Sequence, residues 1–143
     1  MCSTTFSSVS GSGRTNSALT VCGWTWPTVS VRTTCGFCDS LSPDFFLVGE
    51  LLHGDYNQFV GDGMLHSCTN YECYKGLYSS MNSCNLFEIT HSLLRQFGPE
   101  NWTLYRGKHL LCFVDNHDVS RIASNLTNEY HLPLIYALCF RMP

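Results

Sequence analysis

The sequence predicts an α/β fold built on a parallel β sheet. Two apolar runs, residues 45–49 and 110–114, have the length and composition of strands that are buried on both faces, as in a parallel sheet. Segments of helical pattern lie between and after these runs, and strands that alternate with helices are typical of parallel sheets. Each run ends on polar residues: Glu50 follows the first, and Asp115, Asn116, His117 and Asp118 follow the second. Functional groups lie at the carboxyl ends of such strands, so these residues are candidates for a site.

A short strand and a first helix are predicted from local patterns. The strand is expected around residues 65–69. The pattern Thr69-x-x-Glu72 is that of a capping box and predicts a helix that begins there, with Tyr71, Tyr74 and Tyr78 along one stripe. This stripe is expected to pack in the core rather than to form a platform for a sugar.

Two further helices are predicted along the chain. One is expected to follow from Asn85-x-x-Glu88 and to end at Gly98-Pro99. Its apolar face would consist of Leu86, Ile89, Leu93, Leu94 and Phe97. The last helix is expected from near Pro133 onward, because proline suits the first turn of a helix.

The composition of the chain changes near Cys38. Every acidic residue lies at Asp39 or later, and Arg14 and Arg32 are the only charged residues before that point. Residues 1–38 show neither a helical nor a strand period, and such a stretch of small and polar residues predicts a poorly ordered, irregular leader. The structured domain is therefore expected to span residues 39–143.

The composition also argues against several classes of function. The chain has 143 residues and a net charge of −3, and its basic residues are scattered, so nucleic acid is not expected as a partner. No apolar stretch is long enough for a membrane span, and the N-terminus has no secretory pattern, so a cytoplasmic protein is expected. The nine cysteines would then be mostly small buried hydrophobic residues. The other histidines show no spacing typical of ligands, and neither a metal nor a cofactor is expected.

At GELLHGDY, residues 49–56, and FVDNHD, residues 113–118, the chain resembles the α-amylase family of glycoside hydrolases, family 13. The similarity covers residues 39–143 and includes TNYECYKGLYSS at 69–80 and NLFEITHSLLRQFG at 85–98. The resemblance implies a (β/α)8 TIM barrel in which the Gly-Glu segment ends the fifth strand and the Asn-His-Asp segment ends the seventh. Because a complete barrel has about 250 residues, a partial catalytic domain is expected, with roughly strands five to seven and their helices.

The resemblance also implies a role for each polar residue. Glu50 matches the general acid/base, Asp118 the carboxylate that stabilises the transition state, and His117 a histidine that hydrogen-bonds the sugar beside the scissile bond. Asn116 and His53 are further candidates for substrate binding, although ordinary loop polarity explains His53 nearly as well. The implied substrate is an α-glucan or malto-oligosaccharide, cleaved by an acid and a carboxylate nucleophile together. The family's usual calcium-binding segments lie outside the part of the family that this chain resembles, so the resemblance makes calcium possible in complete relatives and leaves it open for this chain.

The family's nucleophile has no counterpart upstream of Glu50. In the family it is an aspartate at the end of the fourth strand, in a pattern like Gly-Leu-Arg-Leu-Asp-x-Ala-Asp, whereas this chain has no carboxylate before Asp39. In another reading frame, the codons of residues 20–27, TVCGWTWP, permit the string GLRLDMAD. The first Asp and the Ala of this string are obligatory, because they come from the Trp24-Thr25 and Trp26-Pro27 codons and tryptophan has a single codon. The leader is therefore a candidate for a frame-shifted fourth strand.

Without the nucleophile, the chain alone is expected to have little or no hydrolytic activity. Two other interpretations stay open. The chain could be a non-catalytic remnant that binds sugar, or the product of a pseudogene. It could also be a thiol or zinc protein built on Cys35 and Cys38, whose CxxC spacing suits either chemistry. An open part of a barrel leaves apolar faces uncovered, and this predicts self-association.

Overall fold

The computed structural model describes the backbone of residues 18–22 and all of residues 46–143. The chain divides into two units, Met1–Thr69 and Asn70–Pro143, and each is treated by itself. The first unit holds a three-stranded parallel sheet whose strands lie side by side in chain order. Strand β1 is Ala18–Cys22, β2 is Phe46–Glu50 and β3 is Ser67–Cys68. The middle strand, β2, therefore ends on Glu50.

The sheet agrees with two of the predicted strands and adds a third. The strand predicted at residues 45–49 is confirmed as β2, and the short strand predicted around residues 65–69 is confirmed as β3. The structure differs from the irregular leader expected over residues 1–38, because Ala18–Cys22 form β1 within it. This strand escapes prediction because its five residues, ALTVC, are too few to show a period and lie in a stretch rich in Ser and Thr.

The segment between β2 and β3 supplies most of the buried apolar side chains of the first unit. Among the residues described there, Tyr56, Val60 and Leu65 are buried, as is Leu47 on β2. One turn of 3-10 helix, Tyr56–Gln58, begins after Asp55, whose carboxylate accepts a hydrogen bond from the backbone N–H of Asn57 at 3.0 Å. The polar side chain of Asp55 thus caps the start of this turn.

The second unit is helical among the residues that the structure describes. Helix α1 is Tyr71–Ser83, α2 is Phe87–Phe97, α3 is Ile122–Asn125 and α4 is Leu132–Cys139. The three predicted helices are confirmed as α1, α2 and α4, whereas the single turn α3 was not predicted. The helices share one apolar core with the segment before α3, formed by Cys73, Leu77, Met81, Ile89, Val114, Ile122 and Ile135.

The start of α1 and the buried face of α2 both differ from their predictions. The N-cap of α1 is Asn70 rather than Thr69, and its Oδ1 accepts a hydrogen bond from the backbone N–H of Cys73 at 3.1 Å. On α2, Ile89 is buried as predicted, but Leu86 and Leu94 are 53% and 48% exposed. The buried face of the helix includes two polar residues, Ser92 and Gln96. A search for apolar positions alone does not identify them.

Residues 110–114 do not form the strand that their composition predicts. Leu111 takes part in an isolated β-bridge, and the backbone N–H of Asn70 donates a hydrogen bond to its carbonyl at 3.0 Å, but no named strand includes these residues. The segment is not buried on both faces either, because Leu111 is 46% exposed while Leu110 and Val114 are buried. Its apolar residues pack against helices, and that packing gives the same apolar run as a central strand.

Across the described part of the chain, the helices are all too short or too polar to cross a membrane.

Candidate functional site

Glu50 is positioned by hydrogen bonds on both sides of its strand. On one side the register pairs it with Cys22 of β1. On the other side the N–H of Thr69 donates to the carbonyl of Gly49 at 3.0 Å, and the hydroxyl of Thr69 accepts from the N–H of Leu51 at 2.9 Å. The backbone before and after Glu50 is thus held by the strand end of β3. Glu50 is half-buried, and its backbone is thus held in place at the end of the strand.

The loop after Glu50 carries the second candidate of the first unit. His53 is exposed, on an irregular stretch three residues beyond the strand. His66, also in the first unit, has a structural role instead, because its Nδ1 accepts a hydrogen bond from the backbone N–H of Leu47 at 3.0 Å. The structure thus gives His66 a partner within the sheet and places His53 at the surface.

The first half of the polar cluster in the second unit stabilises its own turn. One oxygen of the Asp115 carboxylate accepts from the backbone N–H of Ile122 at 2.9 Å, at the start of α3. The other oxygen pairs with the Arg121 guanidinium at 3.0 Å. Asn116 closes the turn, because its Oδ1 accepts from the backbone N–H groups of Asp118 and Val119 at 3.0 and 3.1 Å.

The second half of the cluster points to solvent. The side chains of His117 and Asp118 are 75% and 53% exposed, and the Nε2 of His117 lies 3.5 Å from a carboxylate oxygen of Asp118. A carboxylate accepts hydrogen bonds from hydroxyl groups, and an imidazole donates or accepts one according to its tautomer. The turn therefore presents two adjacent groups with the chemistry needed to bind vicinal sugar hydroxyls.

An aromatic cluster lies behind this turn. The ring of Phe113 stacks on Tyr74, with ring centroids 5.1 Å apart. It packs against Tyr71 in a T-shaped arrangement, with ring centroids 4.9 Å apart. Tyr74 is buried, as predicted for a core stripe, while Tyr71 and Tyr78 are half-buried. The hydroxyl of Tyr71 accepts a hydrogen bond from the Nδ2 of Asn116 at 2.8 Å. The stripe thus packs against the motif and does not form an open platform.

A buried amide pair in the second unit escaped prediction. The Nδ2 of Asn70 donates to the Oε1 of Gln96 at 2.7 Å, and the Nε2 of Gln96 donates back to the Oδ1 of Asn70 at 3.3 Å. The thiol of Cys73 also donates to Gln96, with its Sγ 3.5 Å from Oε1. A hydrogen bond to Cys112 and burial both raise the pKa of the Cys73 thiol, so it stays protonated. The sequence held one indication of this pair: Gln96 lies seven residues after Ile89 and therefore on the same, buried face of helix α2.

Of the predicted site residues, the structure brings Asn116, His117 and Asp118 together in one turn of the second unit. Glu50 and His53 belong to the first unit, and the pairing of Glu50 with Asp118 stays a prediction. Within either unit by itself, the described residues form no group of three His, Cys, Asp or Glu side chains close enough to hold one metal ion. Cys35 and Cys38, the basis of the thiol or zinc interpretation, lie outside the described residues.

Comparison with known proteins found no matching family model, no matching curated protein and no matching solved structure. The resemblance to the α-amylase family therefore rests on the motifs of the sequence.

Proposed function

We propose that the chain is part of a retaining glycosidase of the α-amylase type, acting on α-glucosidic bonds of starch-like glucans or malto-oligosaccharides. Glu50 is the general acid/base in this proposal, Asp118 stabilises the transition state, and His117 binds the sugar beside the scissile bond. His53 is a candidate contact to a neighbouring sugar unit. The reaction pairs the acid with an aspartate nucleophile that has no counterpart in these residues.

The observation that carries the proposal is the place of Glu50 in the sheet. The strands of a (β/α)8 barrel are parallel and lie side by side in chain order, as β1, β2 and β3 do. Catalytic residues of such barrels lie at the carboxyl ends of the strands, and Glu50 is the last residue of the middle strand. The three strands correspond in this proposal to the fourth, fifth and sixth of the barrel.

The turn of the second unit adds support from its own geometry. Asp115 and Asn116 are used to shape the turn, while His117 and Asp118 are left exposed beside each other. This division suits the proposed roles, because the supporting residues hold a fixed backbone and the binding residues keep hydrogen-bonding capacity. The seventh strand of the proposed barrel would correspond to residues 110–114, which belong to no named strand here.

The place of β1 bears on the missing nucleophile. The register sets Cys22, the last residue of β1, beside Glu50. In the alternative reading frame, the obligatory aspartate comes from the codons of Trp24 and Thr25, directly beyond this strand end. A nucleophile at that place would follow the strand next to the one that carries the acid, as the α-amylase pattern requires.

The proposal is tested first on the chain as it stands. Purified chain is incubated with maltoheptaose, and the products are separated by chromatography. We expect no hydrolysis above the blank, because loss of a catalytic nucleophile costs orders of magnitude in rate. Turnover that is abolished by Glu50→Gln but not by His109→Ala, an exposed histidine outside the proposed site, would show that the missing aspartate is not needed.

The second arm restores the nucleophile. The genomic DNA is read again from well upstream of residue 1 to well past residue 143, and the open frame that encodes GLRLDMAD in line with Glu50, with any further barrel strands that it encodes, is expressed. We expect this protein to hydrolyse maltoheptaose with retention of configuration, and Glu50→Gln to lower kcat by about 10³-fold or more. If the restored protein folds and neither cleaves nor binds maltoheptaose, the proposal is wrong.

A binding protein without catalysis is the second candidate. The exposed pair of His117 and Asp118 favours it, because this pair needs no nucleophile to hold a sugar. Binding of maltoheptaose by the present chain, weakened by His117→Ala and unaffected by Glu50→Gln, would support this candidate over the enzyme.

A further inference from the structure

We propose that Tyr71 is a positioning residue for the sugar-binding turn, acting through Asn116. This inference rests on the proposed function and assigns a task to a residue that lies on helix α1. The hydroxyl of Tyr71 accepts a hydrogen bond from the Nδ2 of Asn116 at 2.8 Å. The Oδ1 of the same amide accepts from the N–H groups of Asp118 and Val119. A single side chain thus links the helix to the backbone of the binding residues.

The hydrogen bonds of Asn116 set which residues of the turn meet the sugar. Both polar atoms of its amide are engaged, one with the turn and one with Tyr71. Asn116 therefore supports the turn, and contact with sugar hydroxyls falls to the exposed His117 and Asp118. Supporting hydrogen bonds of this kind orient the groups in direct contact with a ligand, and their loss weakens binding without removing a contact.

Tyr71 is itself held rigidly. It is the first residue of α1, directly after the N-cap Asn70. Its ring packs in a T-shaped arrangement against the rings of Phe113 and Tyr74, with ring centroids 4.9 and 6.2 Å apart. Phe113 belongs to the same FVDNHD segment as Asn116, so the ring and the hydroxyl of Tyr71 contact the segment at two places. A hydroxyl on a ring fixed in this way holds Asn116 in one orientation.

The test compares Tyr71→Phe with Tyr74→Phe. Each variant removes one hydroxyl from α1, but the hydroxyl of Tyr74 accepts from Asn125 at 3.3 Å and makes no bond to the turn. Two quantities are measured: the NMR signals of the Asp118 and Val119 amides and of the His117 ring without sugar, and the Kd for maltoheptaose. We expect Tyr71→Phe to shift these signals and to raise Kd roughly 3- to 10-fold. Tyr74→Phe should leave both unchanged.

The outcomes separate this inference from the proposed function. If the unaltered chain binds maltoheptaose and Tyr71→Phe changes neither the signals nor Kd, the positioning role is wrong while the proposed function stands. If the unaltered chain does not bind maltoheptaose, the sugar-presenting role of Tyr71 is wrong, and the proposed function is decided by the restored protein. Signals that respond to Tyr71→Phe in that case would still show a hydrogen bond that shapes the turn.

A conservative variant on the other side of the bond gives a second measurement. Asn116→Asp keeps the Oδ1 that caps the turn, and its second oxygen accepts a hydrogen bond from the Tyr71 hydroxyl. We expect Asn116→Asp alone to keep the turn signals, and the double variant to shift them further than Tyr71→Phe alone, because the added carboxylate oxygen then lacks the Tyr71 donor; a double-mutant cycle detects this excess as coupling. Additive effects in this cycle would overturn the inference even if Tyr71→Phe alone folds poorly.

Discussion

Single side chains of the second unit hydrogen-bond the backbone at several places where the chain changes direction. Asp115 accepts from the N–H of Ile122 and pairs with Arg121. Arg106 donates to the carbonyls of Gly98, Pro99 and Glu100 in the turn after α2. Charged groups make stronger hydrogen bonds than neutral ones, so one side chain suffices to hold each turn. These turns depend on single residues more than on the apolar core.

Glu72 gives the second unit a specific response to acid. Its carboxylate accepts from the guanidinium of Arg95 on α2 at 2.5 and 3.3 Å. Burial raises the pKa of Glu72, but the hydrogen bonds from Arg95 and Gln96 and the charge of Arg95 outweigh burial and leave it below the ordinary value of 4.5. A pKa that is lower in the folded state means that the unfolded chain takes up the proton first. The stability from this pair is present above about pH 4.5 and is lost as the pH falls through the folded pKa.

We expect the free energy of unfolding to fall as the pH drops below about 4.5, the ordinary pKa of a glutamate, and Glu72→Gln to flatten this fall. Both partners are partly exposed, so the loss at pH 7 in Glu72→Gln is about 0.5–1 kcal/mol. The measurement is urea unfolding at a series of pH values. Glu129→Gln is the control, because Glu129 takes part in none of the ion pairs formed by the residues described. An unchanged pH profile in Glu72→Gln would contradict the argument.

At the scale of elements, α1 and α2 pack closely because small and polar residues lie at their contact. A Cβ on Gly76 of α1 would lie 3.2 Å from the Cδ1 of Ile89 on α2, so this glycine permits the close approach. At the other end of the contact, Asn70 and Gln96 exchange two hydrogen bonds inside the core. A buried amide costs free energy unless it is paired, so these two residues favour one alignment of the helices over any shifted one.

Gln96→Ala is expected to lower the free energy of unfolding by about 2–4 kcal/mol. The substitution leaves the fully buried Asn70 amide without its main partner and opens a small cavity. Urea unfolding followed by circular dichroism measures the change. Thr90→Ala, on the exposed face of the same helix, should change the free energy by no more than about 0.5 kcal/mol. Similar losses in the two variants would show that the amide pair has no special role.

The elements differ in how far the sequence predicts them, and the physical reasons are local. Helices α1 and α2 are predictable because their start signals and apolar spacing are local to each helix. Strand β1 is not, because its five residues are too few to show a period within a stretch rich in Ser and Thr. Residues 110–114 show the opposite error, because packing against helices produces the same apolar run as a central strand. Sequence motifs also locate the polar turn, but they do not separate the supporting Asn116 from the exposed His117.

At the scale of the whole molecule, the surface carries more apolar area than a folded monomer needs. The second unit exposes large apolar side chains, among them Phe87, Tyr130, Leu134, Leu138 and Phe140. Three of these lie on or directly after α4, of which only Ile135 is buried. Exposed apolar side chains of this kind promote association in water, and the small net charge of −3 provides little repulsion.

We therefore expect the chain to self-associate as its concentration rises. The Leu134→Ser/Leu138→Ser double variant should reduce association, because both side chains are exposed on α4. Sedimentation velocity over a range of concentrations measures the effect, and Glu129→Gln is the control that leaves the apolar surface intact. A single monomeric species at every concentration would contradict this prediction.

The contacts between α1 and α2 have a consequence for how the second unit opens. The helices are joined near one end by Asn70 with Gln96, and near the other by Lys75 with Glu88 at 2.6 Å and by the hydroxyl of Ser80, which accepts from the N–H of Ile89 at 3.2 Å. Neither helix can fray far without breaking bonds to the other. The pair therefore behaves as one cooperative unit, and its central amide protons would exchange with solvent deuterium through a single shared opening event.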